Sequence, residues 1–423
     1  MFFEPIIEFK PAQQLLTDSL GGWPERCFLS SCESSKIIVT NYRVSPILGK
    51  MKKTWATLMM ALLGCVASWA ETAKVYVAGG GGIHLLELDL ETGVLVSKGV
   101  SAELAAASFL AVHPNGWFLF AANNDGDRKT GKSSHAVSFF IEPGSGKLHE
   151  MNAVETGGTA SSYVELDARG RIALVANFGG GSIATFQIGL DGKLSERVSL
   201  AQHEGSSVKL PVQSEPHPHA IRISPDQRFA YAPDMGTDEV FIYGLDHANA
   251  KLVPTLNPYA KVNEGSGPRH FDFHPTAAFA YLINQISSEI TVFKRDVENG
   301  SLTAVQTVGS LPKDFVGNNS TAEIRVHPSG KFVYGSNRGH NSIAVFKIDE
   351  TSGLLTLVEH EPTRGESPRH FAIDPDGKWL IAGNQKSGSL AVFSIDSGTG
   401  ELTAVGDVLE IPGPRCIVIP RSN

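Results

Sequence analysis

Residues 371–405 read FAIDPDGKWLIAGNQKSGSLAVFSIDSGTGELTAV, and residues 324–358 read IRVHPSGKFVYGSNRGHNSIAVFKIDETSGLLTLV. Each block holds four short runs rich in Val, Ile, Phe and Tyr, broken by an x-Pro-x-Gly turn, an Asn-containing turn and a Gly-containing turn. The runs favour extended backbone, and the breaks supply the dihedral angles and local side-chain bonds of tight turns. Four strands joined in this way form an antiparallel meander.

The start of the block recurs along the chain. GPRHFDFHP (267–275) and SPRHFAIDP (367–375) stand in register 100 residues apart. With Arg269 as anchor, the equivalent positions are Ser108, Ser162, His219, Arg269, Ala322, Arg369 and Arg415, at intervals of 54, 57, 50, 53, 47 and 46 residues. The seventh anchor lies in PRCIVIP (414–420), a single strand that ends the repeat. Its three missing strands stand at the other end, as KVYVAG (74–79), IHLLELDL (83–90) and VLVSKG (94–99). Pairing the last strand with those three closes a ring and leaves no open edge. The expectation is an all-β, seven-bladed β-propeller of four-stranded antiparallel blades over residues 71–423.

Composition agrees with such a fold. The 423 residues are 42% hydrophobic and 19% charged, and 43 Gly with 23 Pro favour many turns over long helices. A net charge of −8 argues against a nucleic-acid partner, which would call for a basic surface. Cys27, Cys32, Cys65 and Cys416 show neither CxxC pairing nor metal-ligand spacing. Residues 51–70, MKKTWATLMMALLGCVASWA, carry a start-like Met51, two lysines, an apolar core too short to span a bilayer, and small residues Ser68 and Ala70. They read as a signal peptide, with Met51 as the true start, residues 1–50 outside the fold, and export to the periplasm or beyond. LLGC, ending at Cys65, also resembles a lipoprotein box that would tether the product to a membrane. A cytoplasmic protein is the remaining alternative.

In a propeller the first strand of each blade lines the central channel, so equivalent positions form rings. The anchor ring brings three arginines and His219 to one mouth. One step in, the ring is Phe109, Tyr163, Ala220, His270, Glu323, His370 and Cys416. Packing does not require like charges side by side, and an anionic guest would relieve them. Against this stands the plainer reading that each arginine bonds a carbonyl or acid of a neighbouring blade. Two steps further in, Glu165, Arg222, Asp272 and Arg325 alternate in sign, which suits a self-neutralising wall. His113, His274 and His327, each before a Pro, read as turn residues, and no metal site or cofactor is expected. GGGG (79–82) and GGG (179–181) lack the strand-to-helix setting of a phosphate loop and read as turns.

These residues resemble the lactonase family of seven-bladed propellers, whose members include a bacterial 6-phosphogluconolactonase and a fungal carboxy-cis,cis-muconate cyclase. The matching phrases are SFLAVHPNG (108–116), VANFGGGSIATF (175–186), PHPHAIRISPDQRFAYAPDMGTDEVFIY (216–243), GPRHFDFHP (267–275), AEIRVHPSGKFVYGSNRGHNSIAVF (322–346) and PRHFAIDPDGKWLIAGNQ (368–385). The resemblance implies a metal-free site at one channel mouth with His219, Arg269, Glu323 and Arg369 as catalytic residues. His270, His370 and Arg415, with His217, Asn177 and Arg338 from the matching phrases, are the expected substrate-binding residues. ASSYVELD (160–167) departs from the family's Pro-x-His type opening, which bears on the outline of the pocket.

The function so implied is hydrolysis of a small anionic sugar lactone, as in 6-phosphogluconolactonase. It needs an activated water, a stabilised oxyanion and a proton for the leaving ring oxygen. His219 or Glu323 would serve as base, Arg269 and Arg369 would hold negative charge, and His270 or His370 would return the proton. A lactonising cyclase would use the same parts. A non-catalytic binding propeller and a metal-dependent lactonase are the competing classes. Phosphorylated sugar lactones belong to cytoplasmic metabolism, whereas residues 51–70 point outward.

Overall fold

The computed structural model describes residues 71–421. The signal-like segment 51–70 with Cys65, and residues 1–50, lie outside the described residues. Within them, twenty-eight strands form seven four-stranded sheets, each a meander in chain order. Blades 1 to 6 span residues 107–155, 161–202, 222–261, 268–309, 321–362 and 368–410. Blade 7 joins Cys416–Val418 to Thr72–Gly79 through the pairs Ala78↔Cys416, Val77↔Ile417 and Tyr76↔Val418, then continues through Gly82–Asp89 and Leu95–Ala102. The ring is closed by pairing the first and last strands of the described residues, as the repeat spacing requires.

The second strand of each blade reads as a continuous apolar run because neighbouring blades cover both of its faces. Ile172–Asn177, Phe332–Asn337 and Trp379–Asn384 are buried at every residue. One core cluster crosses from blade 4 to blade 5, packing Ile283 and Ile290 against Ile324, Val333 and Phe346. Outer strands such as Leu148–Glu155 face solvent and alternate with polar residues.

Blades are also keyed together at their outer hairpins. Tyr334 of blade 5 donates from its hydroxyl to Gly400 O of blade 6 at 2.8 Å. Gly400 has φ +80°, and a Cβ there would lie 2.5 Å from the ring of Phe332. Gly353 makes the same fit on Phe279 and Tyr281. Gly400→Val is expected to destabilise the protein by about 2–4 kcal/mol through left-handed backbone strain and overpacking. A fall in the urea midpoint at unchanged m-value would show it, and an unchanged midpoint would refute the keying.

The His-Pro histidines lock the same end of the blades, closer to the channel. His113, His274 and His327 donate from Nε2 to the carbonyls of Gly170, Gly330 and Gly377 in the next blade, at 2.9, 2.9 and 2.8 Å. Their spacing is turn and inter-blade chemistry, and no group of three or more potential metal ligands occurs among the described residues.

Candidate active site

The inner strands begin at one mouth of the channel, here the near mouth, and run to the x-Pro turns at the far mouth. A bulge at the start of these strands decides what faces the near mouth. In blade 4, Pro268 pairs with Asn284 and His270 with Ile283, so Arg269 is the extra residue. Ser108, Ser162 and Arg369 are extra in the same way. In blade 5, Ala322 and Glu323 together face Ser336. A bulge re-aims side chains that strict alternation would send elsewhere. Left-handed residues precede three of the Pro-Arg pairs, namely Gly267 (φ 67°), Ser367 (φ 62°) and Gly413 (φ 50°). Blade 3 differs. Pro216 and Pro218 cannot donate to a ladder, so its inner strand is only Arg222–Ile223. His219 is held there by its N–H bond to Pro233 O at 3.0 Å.

Four of the seven anchor side chains stitch their blade to the next. Ser108 donates to Ser161 O (2.6 Å), Ser162 to His219 O (3.0 Å), Arg269 to Ala322 O and Arg415 to Ala107 O (3.4 Å). Arg338 donates to Ser320 O (3.3 Å) and Thr321 O (2.8 Å). The Arg369 side chain makes no hydrogen bond among the described residues. Backbone carbonyls thus orient three of the four guanidinium groups, and for Arg269 and Arg415 the carbonyl belongs to the neighbouring blade, as the plainer reading expects. None of the four forms an ion pair with a described carboxylate, unlike Arg222, Arg295 and Arg325.

The charge is therefore uncompensated. Burial, then Arg338 and Arg369, press the Arg269 cation well below the usual guanidinium range. Burial, then Arg369, bring Arg338 down to about 9, and burial, then Arg415, lower Arg369. A guanidinium does not surrender its proton in a protein, so the direction measures an electrostatic demand that an anion would meet.

Beneath the arginines lies a carboxylate between two imidazoles. Glu323, His270 and His370 are 1%, 3% and 2% exposed. His270 donates from Nδ1 to Glu323 Oε2 at 2.9 Å, and His370 Nε2 lies 3.1 Å from the same oxygen. His370 Nδ1 accepts the Ile417 N–H at 3.2 Å, while its Nε2 also faces Arg325 Nη2 at 3.3 Å and Cys416 Sγ at 3.8 Å. Arg325 Nε is 3.3 Å from Glu323 Oε1. With its Nδ1 proton held by Glu323, His270 keeps a bare Nε2 that is buried and unpartnered among the described residues. His219 meets His270 edge to face at 5.1 Å, and its Nδ1 is likewise unpartnered. Burial, then Arg269, hold both His219 and His270 well below the ordinary imidazole range. Burial also lowers His370 to about 3, against the opposing pull of Glu323. All three rings are neutral near pH 7.

Of the ten residues singled out from sequence, nine gather at or below the near mouth. His217 sits on the rim, stacked on Phe178 at 4.6 Å with Nδ1 2.9 Å from Phe178 O. Asn177 is the exception. It is fully buried, accepts from Ser161 Oγ at 2.7 Å and donates to Ser182 Oγ at 3.2 Å within its own blade. Asn123, Asn284, Asn337 and Asn384 end the second strands of other blades in the same place, so Asn177 belongs to the repeat.

The wall of alternating charge also differs from expectation at one end. Arg222 joins Glu165 (3.2 Å) and Asp272 (2.7 Å), but Arg325 turns to Glu323 while Asp272 Oδ2 accepts the Val326 N–H at 2.9 Å. Residue spacing placed Arg325 one layer too deep for that contact. Two further features escaped the sequence reading. Phe109 and Tyr163 stack at 3.8 Å and form an aromatic floor beside His270, so the departure in blade 2 gives the cleft its shape. Asp234 binds the His217 N–H at 2.7 Å and His203 Nδ1 at 2.7 Å, bracing the PHPH loop. Its signal was there to find, since Asp234 stands where five blades carry asparagine.

Fold and side chains together define a seven-bladed propeller with arginines and histidines gathered at one end of its channel. The family described as Lactonase, 7-bladed beta-propeller, matches residues 28–419, and the chain belongs to it. Over 297 residues it is 32% identical to the 6-phosphogluconolactonase of Bacillus subtilis, spanning 70% of this chain and 82% of that one. The 6-phosphogluconolactonase of Formosa agariphila is 32% identical over 298 residues, with the same two shares. Among solved structures, a periplasmic gluconolactonase of Pseudomonas aeruginosa superposes with a TM-score of 0.77 at 30% identity, covering 83% of this chain and 99% of its own. The chain is an enzyme of the lactonase type.

Proposed function

We propose that the protein hydrolyses a sugar lactone of the gluconolactone type, with water as nucleophile and side chains alone as catalysts. The observation that carries this is the bare Nε2 of His270, its other nitrogen held by a buried carboxylate, beneath arginines with no acid of their own. In this reading water attacks the lactone carbonyl carbon and gives its proton to His270 Nε2. Arg269 and Arg369 hold the oxyanion that forms. The ring C–O bond then breaks, and the imidazolium returns the proton to the leaving oxygen, as one histidine does in a triad. Glu323, almost wholly buried, accepts from His270 and from the Ile324 N–H and lies beside Arg325, so it acts through His270 and not on water directly. His370 fixes Glu323, and His219 lines the reacting centre beside His270. Arg338, Arg415 and His217 form the rim that, together with Arg369, takes the substrate's own negative group.

Residues 51–70 and the likeness to a periplasmic gluconolactonase support export, and with it an unphosphorylated substrate. The likeness to two 6-phosphogluconolactonases supports a phosphorylated one. Among the described residues no helix is long and apolar enough to cross a membrane.

The test is a pH-stat assay on gluconolactone and 6-phosphogluconolactone, with and without a chelator. Enzymic acid release that survives the chelator is expected, and the better lactone identifies the substrate. Release no faster than the spontaneous rate for both lactones would remove the proposal. The same assay reads the base. Burial and Arg269 hold His270 low, so kcat/KM is expected to stay level as pH falls through 6.5, the usual imidazole value. Arg269→Ala removes a neighbouring cation, which raises the His270 pKa and moves the acid limb to higher pH. A limb that stays in place would take His270 out of this role.

A further inference from the structure

A cavity of about 550 Å³ enters the propeller from the far mouth, lined there by Pro114, Pro328 and Pro375 and at its inner end by Arg325 and His370. The reason lies in the third ring. Blades 2 to 5 fill it with Glu165, Arg222, Asp272 and Arg325, whereas blades 6, 7 and 1 carry only Ala372, Val418 and Ala111. The channel is therefore plugged by charge on one side and open beside Ala372 on the other. His370 is the member of the buried carboxylate–imidazole cluster that lines this space, and its Nε2 lies 3.1 Å from Glu323. The arginine cleft and the cavity thus meet the same cluster from opposite ends.

We propose that the far-mouth cavity is a water and proton path to the His370–Glu323 pair, so that substrate is taken at one mouth and the cluster exchanges with solvent through the other. The idea rests on the hydrolytic reading above. Each turnover then consumes one water and, once the hydroxy acid ionises, releases one proton. A lactone seated under the arginines caps the near mouth over Glu323, His270 and His370, which are almost wholly buried. The cavity supplies a route that the bound substrate does not close. Ala372 is the gate of that route, because its methyl group is what blade 6 places in the third ring, where blades 2 to 5 place charged side chains.

The experiment installs a plug after folding. In Ala372→Cys the introduced thiol is labelled with a benzyl methanethiosulfonate, while the unsubstituted chain given the same reagent controls for its own cysteines. Two readouts follow: steady-state lactone hydrolysis, and deuterium uptake at the His370 C2 position by peptide mass spectrometry, which needs no activity. Labelling is expected to lower kcat by about tenfold or more at nearly constant KM, to slow His370 exchange, and to be reversed by dithiothreitol. An unchanged His370 exchange rate in the labelled variant would overturn the path, whatever the turnover does. A rise in KM at constant kcat would overturn it too, because the label would then be pressing on the substrate cleft. Should neither lactone be hydrolysed by the unlabelled chain, slowed exchange would still support the path while the hydrolytic reading falls.

Discussion

Glu323→Gln is expected to lower kcat for lactone hydrolysis by about 10³–10⁴, with KM nearly unchanged, since it removes an acceptor that acts only through His270. Glu323 Oε2 accepts from His270 Nδ1 at 2.9 Å with His370 Nε2 3.1 Å away, while Oε1 accepts the Ile324 N–H at 3.2 Å and faces Arg325 at 3.3 Å. An amide offers one acceptor oxygen and two donor hydrogens, so it cannot satisfy three donors. Either His270 flips its tautomer and loses the bare Nε2, or the ring turns away. Without the carboxylate, the imidazolium that forms in the transition state also loses its counter-charge. The substitution leaves Arg325 without its acid, so some stability is lost, and a thermal melt on the same sample separates unfolding from inactivation. A folded Glu323→Gln protein within threefold of the parent kcat would contradict the mechanism, since a general base of this kind contributes about 10²–10⁴.

Arg369→Ala is expected to act on charge recognition instead. Arg269, Arg338 and Arg415 each hold a backbone carbonyl, but the Arg369 side chain donates no hydrogen bond among the described residues. It is the guanidinium most available to a guest, partly exposed and braced at its backbone by Ser367, Pro368 and the bulge. A charge-assisted, two-point contact with a phosphate is worth about 2–4 kcal/mol when partly desolvated. kcat/KM for 6-phosphogluconolactone should therefore fall about 30- to 1,000-fold, by that same free energy. For gluconolactone, which has no anionic group, the fall should be smaller and confined to the oxyanion contribution. Equal losses on both lactones would show that Arg369 holds only the oxyanion. A loss on neither would remove it from the cleft's work.

Where each of these residues sits was legible because the chain repeats. Arg269 and Arg369 occupy the same word in two blades, so their shared depth follows from register alone, and so does that of His270, Glu323 and His370. Asn177 shows how the same logic misleads. A family phrase contains both the site and the scaffold, and only the hydrogen bonds to Ser161 and Ser182 reveal that this asparagine closes a turn. Arg325 misled in the opposite sense, because a long guanidinium reaches one layer up to Glu323 in place of its neighbour in the ring. A sequence gives the ring of a residue but not the reach of its side chain.

Periodicity, turn chemistry and the split blade were enough to dictate a closed seven-bladed ring, because each blade buries its faces only against its neighbours and a ring leaves no blade uncovered. They also dictated which mouth collects the arginines and histidines. Tertiary structure alone decided what those groups do to one another. Bulges took Arg269 and Arg369 out of strict alternation, backbone carbonyls of the next blade oriented Arg269 and Arg415 without neutralising them, and Glu323 held the Nδ1 proton of His270. Those choices depend on hydrogen bonds between blades some fifty residues apart, and hydrogen-bond direction at that range is a property of the assembled ring.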